Sequence, residues 1–205
     1  MARLISLLIG YLIGSILFAF LISEWFLKKD PTKYGSHNPG TANMGAVFGK
    51  KFGILTCIGD LAKTLVALIL VWELFQSKLA IAYAGLGLIL GHCYPIWHRF
   101  RGGKGVAVAA LWLVFFDWRL GLACLFLALL LTILLKNLTL PPLAFMVIFS
   151  AVILVRGELE IGLIFVAATL VMITRFWPDL VDFANGRGKR VDILTSLKRK
   201  LKRRS

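Results

Sequence analysis

The chain has 205 residues, 59% of them hydrophobic and only 17% charged, with a mean hydropathy of +0.84. That is too apolar for a water-soluble domain of this length, and at about 20 residues per crossing it leaves room for some seven membrane-spanning helices with short loops. The formal charge of +14 does not indicate nucleic acid, because the basic residues collect in two loops and a tail between apolar runs.

The first apolar run, predicted as a helix over 4–23, follows a single Arg3 and has no small-residue cleavage site before Lys28, Lys29 and Asp30, so it reads as a retained span. Further helices are predicted over 53–75, 79–97, 105–116, 119–135, 141–155 and 159–175. The fourth is too short to cross alone at full depth. Gly10 with Gly14, and Gly87 with Gly91, are four-residue pairs that let two helices approach closely. Cys57, Cys93 and Cys124 sit inside apolar runs without CxxC or CxC spacing and read as packing residues. The organisation expected is one all-α polytopic membrane domain over 1–186 and a basic tail over 187–205, whose Val191, Ile193, Leu194, Leu197 and Leu201 give it an apolar helical face for anionic lipid.

Orientation follows from the cations. Loops 24–52, 98–104 and 136–140 and the segment from Arg175 carry five, three, one and ten basic residues, which puts 19 of the 24 on one side. The other side has Arg3, Lys78, Arg119 and Arg156, and Lys63 lies within a helix. Basic loops stay cytoplasmic, so the N-terminus is expected outside and the tail inside.

Two glycine-rich loops fall on that cytoplasmic side. In Tyr34-Gly35-Ser36-His37-Asn38-Pro39-Gly40-Thr41-Ala42-Asn43-Met44-Gly45, short polar side chains and exposed backbone N–H groups suit a phosphate or acyl oxyanion, or else a flexible capped turn. In Arg99-Phe100-Arg101-Gly102-Gly103-Lys104-Gly105, three cations surround a diglycine ahead of a helix, an arrangement for a dianion or simply a basic hinge.

Asp60 and Lys63 share a face of the second helix and are expected to turn inward and pair, with each other or with a ligand. His92 precedes the second loop, but no histidine here is followed five residues on by Asp, and there is no nucleophile elbow and no HExxH.

These residues together resemble a known family. Gly35-Ser36-His37-Asn38-Pro39-Gly40-Thr41-Ala42-Asn43, then Gly49-Lys50-Lys51-Phe52-Gly53, Asp60 and Lys63, Gly91-His92 with Pro95, and Gly102-Gly103-Lys104-Gly105-Val106-Ala107 are similar, in order and spacing, to PlsY, the bacterial acyl-phosphate:glycerol-3-phosphate acyltransferase family.

The resemblance implies a seven-helix enzyme of the bacterial inner membrane with its site facing the cytoplasm. Its partners would be acyl phosphate, glycerol 3-phosphate, membrane lipids and an acyl-phosphate-producing enzyme. It would release lysophosphatidic acid and phosphate, with no metal or organic cofactor. Ser36, Asn43 and Lys104 are expected as catalytic residues. Asn38, Gly40, Thr41, Asp60, Lys63, His92, Gly102, Gly103, Gly105 and Arg175 are expected to bind substrate.

The chain departs from the family pattern at Ala46, where an Arg is usual, and at Phe176 and Asp179, where His and Asn are usual. His37 replaces a Gly, and Thr41-Ala42 stands for Ala-Thr. A non-enzymatic descendant that binds acyl or phosphate ligands, and a transporter of phosphorylated solutes, are the alternative readings.

Overall fold

The computed structural model describes residues 1–188, and every regular element among them is a helix. The expected amphipathic tail, from residue 189 onward, lies outside the described residues. The helices are α1 (Ala2–Gly14), α2 (Phe18–Ile22, continued by a π-helical turn at Ser23–Leu27), α3 (Thr41–Val47), α4 (Lys50–Phe75), α5 (Lys78–Cys93), α6 (Val106–Phe116), α7 (Trp118–Leu135), α8 (Leu140–Val155) and α9 (Leu159–Ala184). Five stretches are long and apolar enough to cross a membrane: Ala2–Leu27, Lys50–Phe75, Lys78–His98, Trp118–Leu135 and Leu159–Ala184. α6 and α8 are apolar but shorter. The protein is an all-α polytopic membrane protein, with large apolar side chains such as Leu8, Ile58, Phe126 and Leu163 facing outward.

Local chemistry accounts for the helix ends. Ser77 and Asp117 accept from the backbone N–H groups of Ala80 and Leu120 and so cap α5 and α7. The Asn137 side chain accepts from Thr139 and Leu140 at the start of α8. Pro95 disfavours helical geometry at Tyr94, so α5 stops at Cys93 and a short 3-10 turn at Ile96–His98 follows, where the sequence predicts helix to 97.

Three other expectations change. The first span is not one α-helix: α1 stops at Gly14, the chain passes through extended Leu17, and α2 begins at Phe18. The loop over 24–52 contains α3, which packs on α4. α9 continues to Ala184 rather than stopping at 175, even with Pro178 inside it, and so carries Arg175, Phe176 and Asp179 in helical register.

The core is aromatic. Trp112 of α6 stacks on Phe165 of α9 at 4.2 Å, and Phe116 and Phe149 close around Phe165. One end of the bundle is held by the Arg3–Glu160 and Arg156–Asp117 ion pairs, 2.7 and 2.6 Å. The glycine-rich loops occupy the other end.

α1 and α5 touch backbone to backbone through the two glycine pairs. A Cβ on Gly14 would stand 2.6 Å from the Leu88 carbonyl oxygen, and one on Gly91 would stand 2.7 Å from the Ser15 nitrogen. Neither neighbour is a flexible side chain, so the helices must separate to admit a larger residue. Gly14→Val is therefore expected to destabilise the protein by about 1–3 kcal/mol. A melting curve in detergent that matches wild type would contradict this packing.

Candidate active site at the loop end

The first loop is held by its own polar side chains. Asn43, buried on α3, accepts the Ser36 backbone N–H through Oδ1 at 2.8 Å, and its Nδ2 donates to the carbonyls of Tyr34 and Pro31 at 3.1 and 3.2 Å. Asn43, expected as a catalytic residue, thus has its amide committed to shaping the loop. His37, in left-handed geometry (φ 59°), places Nδ1 2.8 Å from the Thr32 carbonyl. The Thr32 hydroxyl donates to Asp30 at 2.6 Å and holds that carboxyl below its usual range.

The second loop is held from α9. The Arg175 guanidinium donates to the carbonyls of Gly103 and Gly102, at 3.2 and 2.5 Å. Gly103 N–H donates to the His92 carbonyl at 2.9 Å, and a Cβ on Gly103 would strike the His92 ring. Gly102 and Gly103 therefore pack beneath the loop rather than lining the cavity, while Gly105, at φ 77°, turns the chain into α6. Arg175 has its donors on the loop backbone and also faces a cavity.

Beneath both loops lies a buried polar hub. Lys63 Nζ donates to the carbonyls of Gly14 and Ile16, at 2.9 and 2.7 Å, which are the groups left open where α1 breaks. It also stands 3.0 Å from Asp60 Oδ1 and 3.1 Å from His92 Nδ1. The three N–H groups of the ammonium are shared among these four neighbours, with His92 Nδ1 the most distant. Asp60 and His92 line the cavity above, whereas Lys63 does not.

Two adjoining cavities run through this end and share Ser36, Asn38 and Lys104. The deeper one, about 390 Å³, is polar where Ser36, Asn38, Thr41, Asp60, His92 and Lys104 meet, with Gly40 and Gly105 in its wall. It turns apolar along Cys57, Val106, Ala107, Ala110, Leu138, Pro142 and Phe176. The outer one, about 360 Å³, adds Gly35, His37, Thr139, Thr174, Arg175, Asp179 and Asp182. The Asn38 side-chain oxygen is buried with no partner among the described residues, which marks a place for a ligand group. Lys104 Nζ lies at the junction, 2.5 Å from Asp179 Oδ2 and 4.8 Å from the Phe176 ring centroid.

The arrangement suits an amphiphile with an anionic head. Sequence reasoning places Ser36, Asn38, Gly40, Thr41, Asp60, His92, Lys104 and Gly105 here, and all of them line the deeper cavity. It does not find Thr139 or the apolar wall. Cys57 belongs to that wall, while Cys93 and Cys124 are buried.

A family model described as glycerol-3-phosphate acyltransferase matches residues 4–186. The chain belongs to the glycerol-3-phosphate acyltransferase family. Glycerol-3-phosphate acyltransferase 1 of Lactobacillus acidophilus is 59% identical over 201 residues, 98% of each chain. Among solved structures, PlsY (YgiH), an integral membrane glycerol 3-phosphate acyltransferase, superposes in its glycerol 3-phosphate form with a TM-score of 0.83 at 26% identity, over 96% of this chain and 99% of that one. Its lysophosphatidic acid form superposes with a TM-score of 0.79 at 25% identity, covering 93% and 95%.

The hub makes a test of what holds the acyltransferase fold together beneath its loops. Lys63→Met leaves the Asp60 carboxylate and two carbonyls without their cation, and a loss of about 3–5 kcal/mol is expected, as for other broken buried pairs. Adding Asp60→Asn should recover part of it. Equal melting temperatures for wild type and Lys63→Met would rule out the hub as a stabilising element.

Proposed function

We propose that this chain transfers a fatty acyl group from acyl phosphate to the sn-1 hydroxyl of glycerol 3-phosphate, giving lysophosphatidic acid and inorganic phosphate. The observation that carries the reading is the shared junction of the two cavities. A polar compartment with a cation at its neck opens directly into an apolar groove, as a reaction between a water-soluble phosphate and a lipid requires.

In this reading the alkyl chain lies along Val106, Ala107, Ala110 and Pro142, and Ser36, Asn38, Gly40 and Thr41 hold the acyl phosphate head. His92 and Asp60 form the floor beneath it. Glycerol 3-phosphate occupies the outer cavity with its phosphate on Lys104. Gly102, Gly103 and Arg175 act together as the support that aims Lys104. Acyl phosphate is a mixed anhydride and already activated, so positioning and charge neutralisation supply most of the catalysis.

In this reading the shorter apolar α6 and α8 cross together with the five long spans, giving seven crossings. The loop end then falls on the side rich in Lys and Arg, which supports a site facing the cytoplasm from a bacterial inner membrane, where an acyl-phosphate-producing enzyme would supply the donor.

Purified protein given a long-chain acyl phosphate and glycerol 3-phosphate should release lysophosphatidic acid and phosphate in equal amounts. Ligand binding without either product would favour a non-enzymatic descendant and defeat the proposal. Lys104→Ala should raise KM for glycerol 3-phosphate by about 10- to 100-fold, the scale of a charge-assisted hydrogen bond worth about 1.5–3 kcal/mol. An unchanged KM would remove Lys104 from the phosphate site.

A further inference from the structure

Glycerol 3-phosphate, as a phosphate monoester, carries nearly two negative charges at neutral pH. The outer cavity, which takes it in the acyl transfer reading above, is lined by three cations, Lys104, Arg175 and Arg187, and by two carboxylates, Asp179 and Asp182. Two of the cations are already engaged. Lys104 lies 2.5 Å from Asp179, and Arg175 donates to the carbonyls of Gly103 and Gly102. Arg187 is held more loosely: its guanidinium stands 3.5 Å from Asp182, and both side chains are exposed. Without Arg187 the charges lining the cavity would balance, and no net attraction for a dianion would remain.

Backbone geometry brings Arg187 to this cavity. Helix α9 ends in a turn in which the Gly186 N–H donates to the Phe183 carbonyl at 3.0 Å and the Arg187 N–H to the Asp182 carbonyl at 2.8 Å. Gly186 sits at φ 72°, the left-handed geometry for which this kind of helix end selects glycine. The chain therefore turns back across the helix end instead of running straight on, and Arg187 lines the same cavity as Ser36, Asn38 and Lys104.

We propose that Arg187 is a second phosphate-binding residue of this enzyme, joining Lys104 on the phosphate of glycerol 3-phosphate. The inference rests on the acyl transfer reading. In the free protein the guanidinium rests against Asp182. When substrate enters, it exchanges that contact for two parallel N–H donations to phosphate oxygens, which its planar fork fits. Little is lost in the exchange, because an exposed ion pair at 3.5 Å is weak. Arg175 cannot do the same without releasing the carbonyls that hold the second loop.

The test is steady-state kinetics at fixed acyl phosphate and varied glycerol 3-phosphate. The proteins are wild type, Arg187→Gln, Arg187→Lys, Arg187→Gln combined with Asp182→Asn, and Lys28→Gln, each checked for an unchanged melting temperature without ligand. Lys28 is exposed in the loop over 24–52 and lines neither cavity, so its variant reports the loss of a surface charge alone.

Arg187→Gln is expected to raise KM for glycerol 3-phosphate about 5- to 20-fold with kcat near the wild-type value. Arg187→Lys keeps the charge but loses the fork and should fall between the two. The double variant has the wild-type balance of charge and should still show a raised KM, while Lys28→Gln should match wild type. In parallel, glycerol 3-phosphate alone should raise the melting temperature of wild type, and Arg187→Gln should need about 5- to 20-fold more of it for the same rise.

An unchanged KM in Arg187→Gln would overturn the assignment. So would an equal rise in Lys28→Gln or full recovery in the double variant, since either would show that net charge and not contact is responsible. Wild type making no lysophosphatidic acid would defeat the functional reading instead. The melting shift would then decide whether Arg187 takes the phosphate, and equal shifts in Arg187→Gln and wild type would overturn that as well.

Discussion

A single buried ammonium organises the floor of the site. The break between Gly14 and Phe18 frees carbonyls that lipid cannot satisfy, and in a membrane each such group costs several kcal/mol. Lys63 takes two of them, neutralises its own charge on Asp60 and hydrogen-bonds His92, joining α1, α4 and α5 at one point. The same cluster holds the His92 ring against Gly103, so it also supports the second loop, from which Lys104 projects. Stability and chemistry are therefore set by one cluster. A residue that looks like a substrate-binding cation in the sequence is an internal one.

The two loops divide their polar residues in the same way. Each has a clamp and a working edge. Asn43 clamps the first loop and leaves Ser36, Asn38 and Thr41 facing the cavity; Arg175 clamps the second and leaves Lys104 facing it. Backbone carbonyls that accept from a guanidinium are drawn away from the cavity, which suits a site for anions. The cost of the arrangement is that Lys104 has an anionic neighbour, Asp179, even before substrate arrives.

Much of this was legible in the chain because membrane helices are written in long apolar runs. The glycine pairs at 10 and 14 and at 87 and 91 announced a close crossing, and the glycine-rich loops announced a site. The break in α1 was hidden because an apolar run carries no mark of a missing backbone hydrogen bond; only Lys63, far along the sequence, records it. α3 was missed because Gly45 and short polar residues read as loop, yet the helix is stabilised by packing on α4 rather than by propensity. α9 seemed to stop where charge appears, but Arg175, Asp179 and Asp182 follow helical spacing, and their polarity serves the site, not an exit from the bilayer. The apolar wall at Ala107, Ala110 and Pro142 has the same composition as a lipid-facing surface, so no sequence pattern separates the two.

The short helices give the groove its depth. α6 has 11 residues, about 16 Å, little more than half of the hydrocarbon thickness. Its far end meets the start of α7 near Asp117, so the shortfall lies at the loop end, where Gly105 begins the helix directly after Lys104. Irregular backbone at that depth is tolerable only where protein covers it or a cavity lines it. The second loop meets that condition through Arg175, His92 and the cavity itself. A full-length helix at this position would lift Lys104 toward the aqueous surface and separate its ammonium from the apolar wall. The shortness of α6 is thus what lets the Lys104 cation and the apolar wall meet in one cavity.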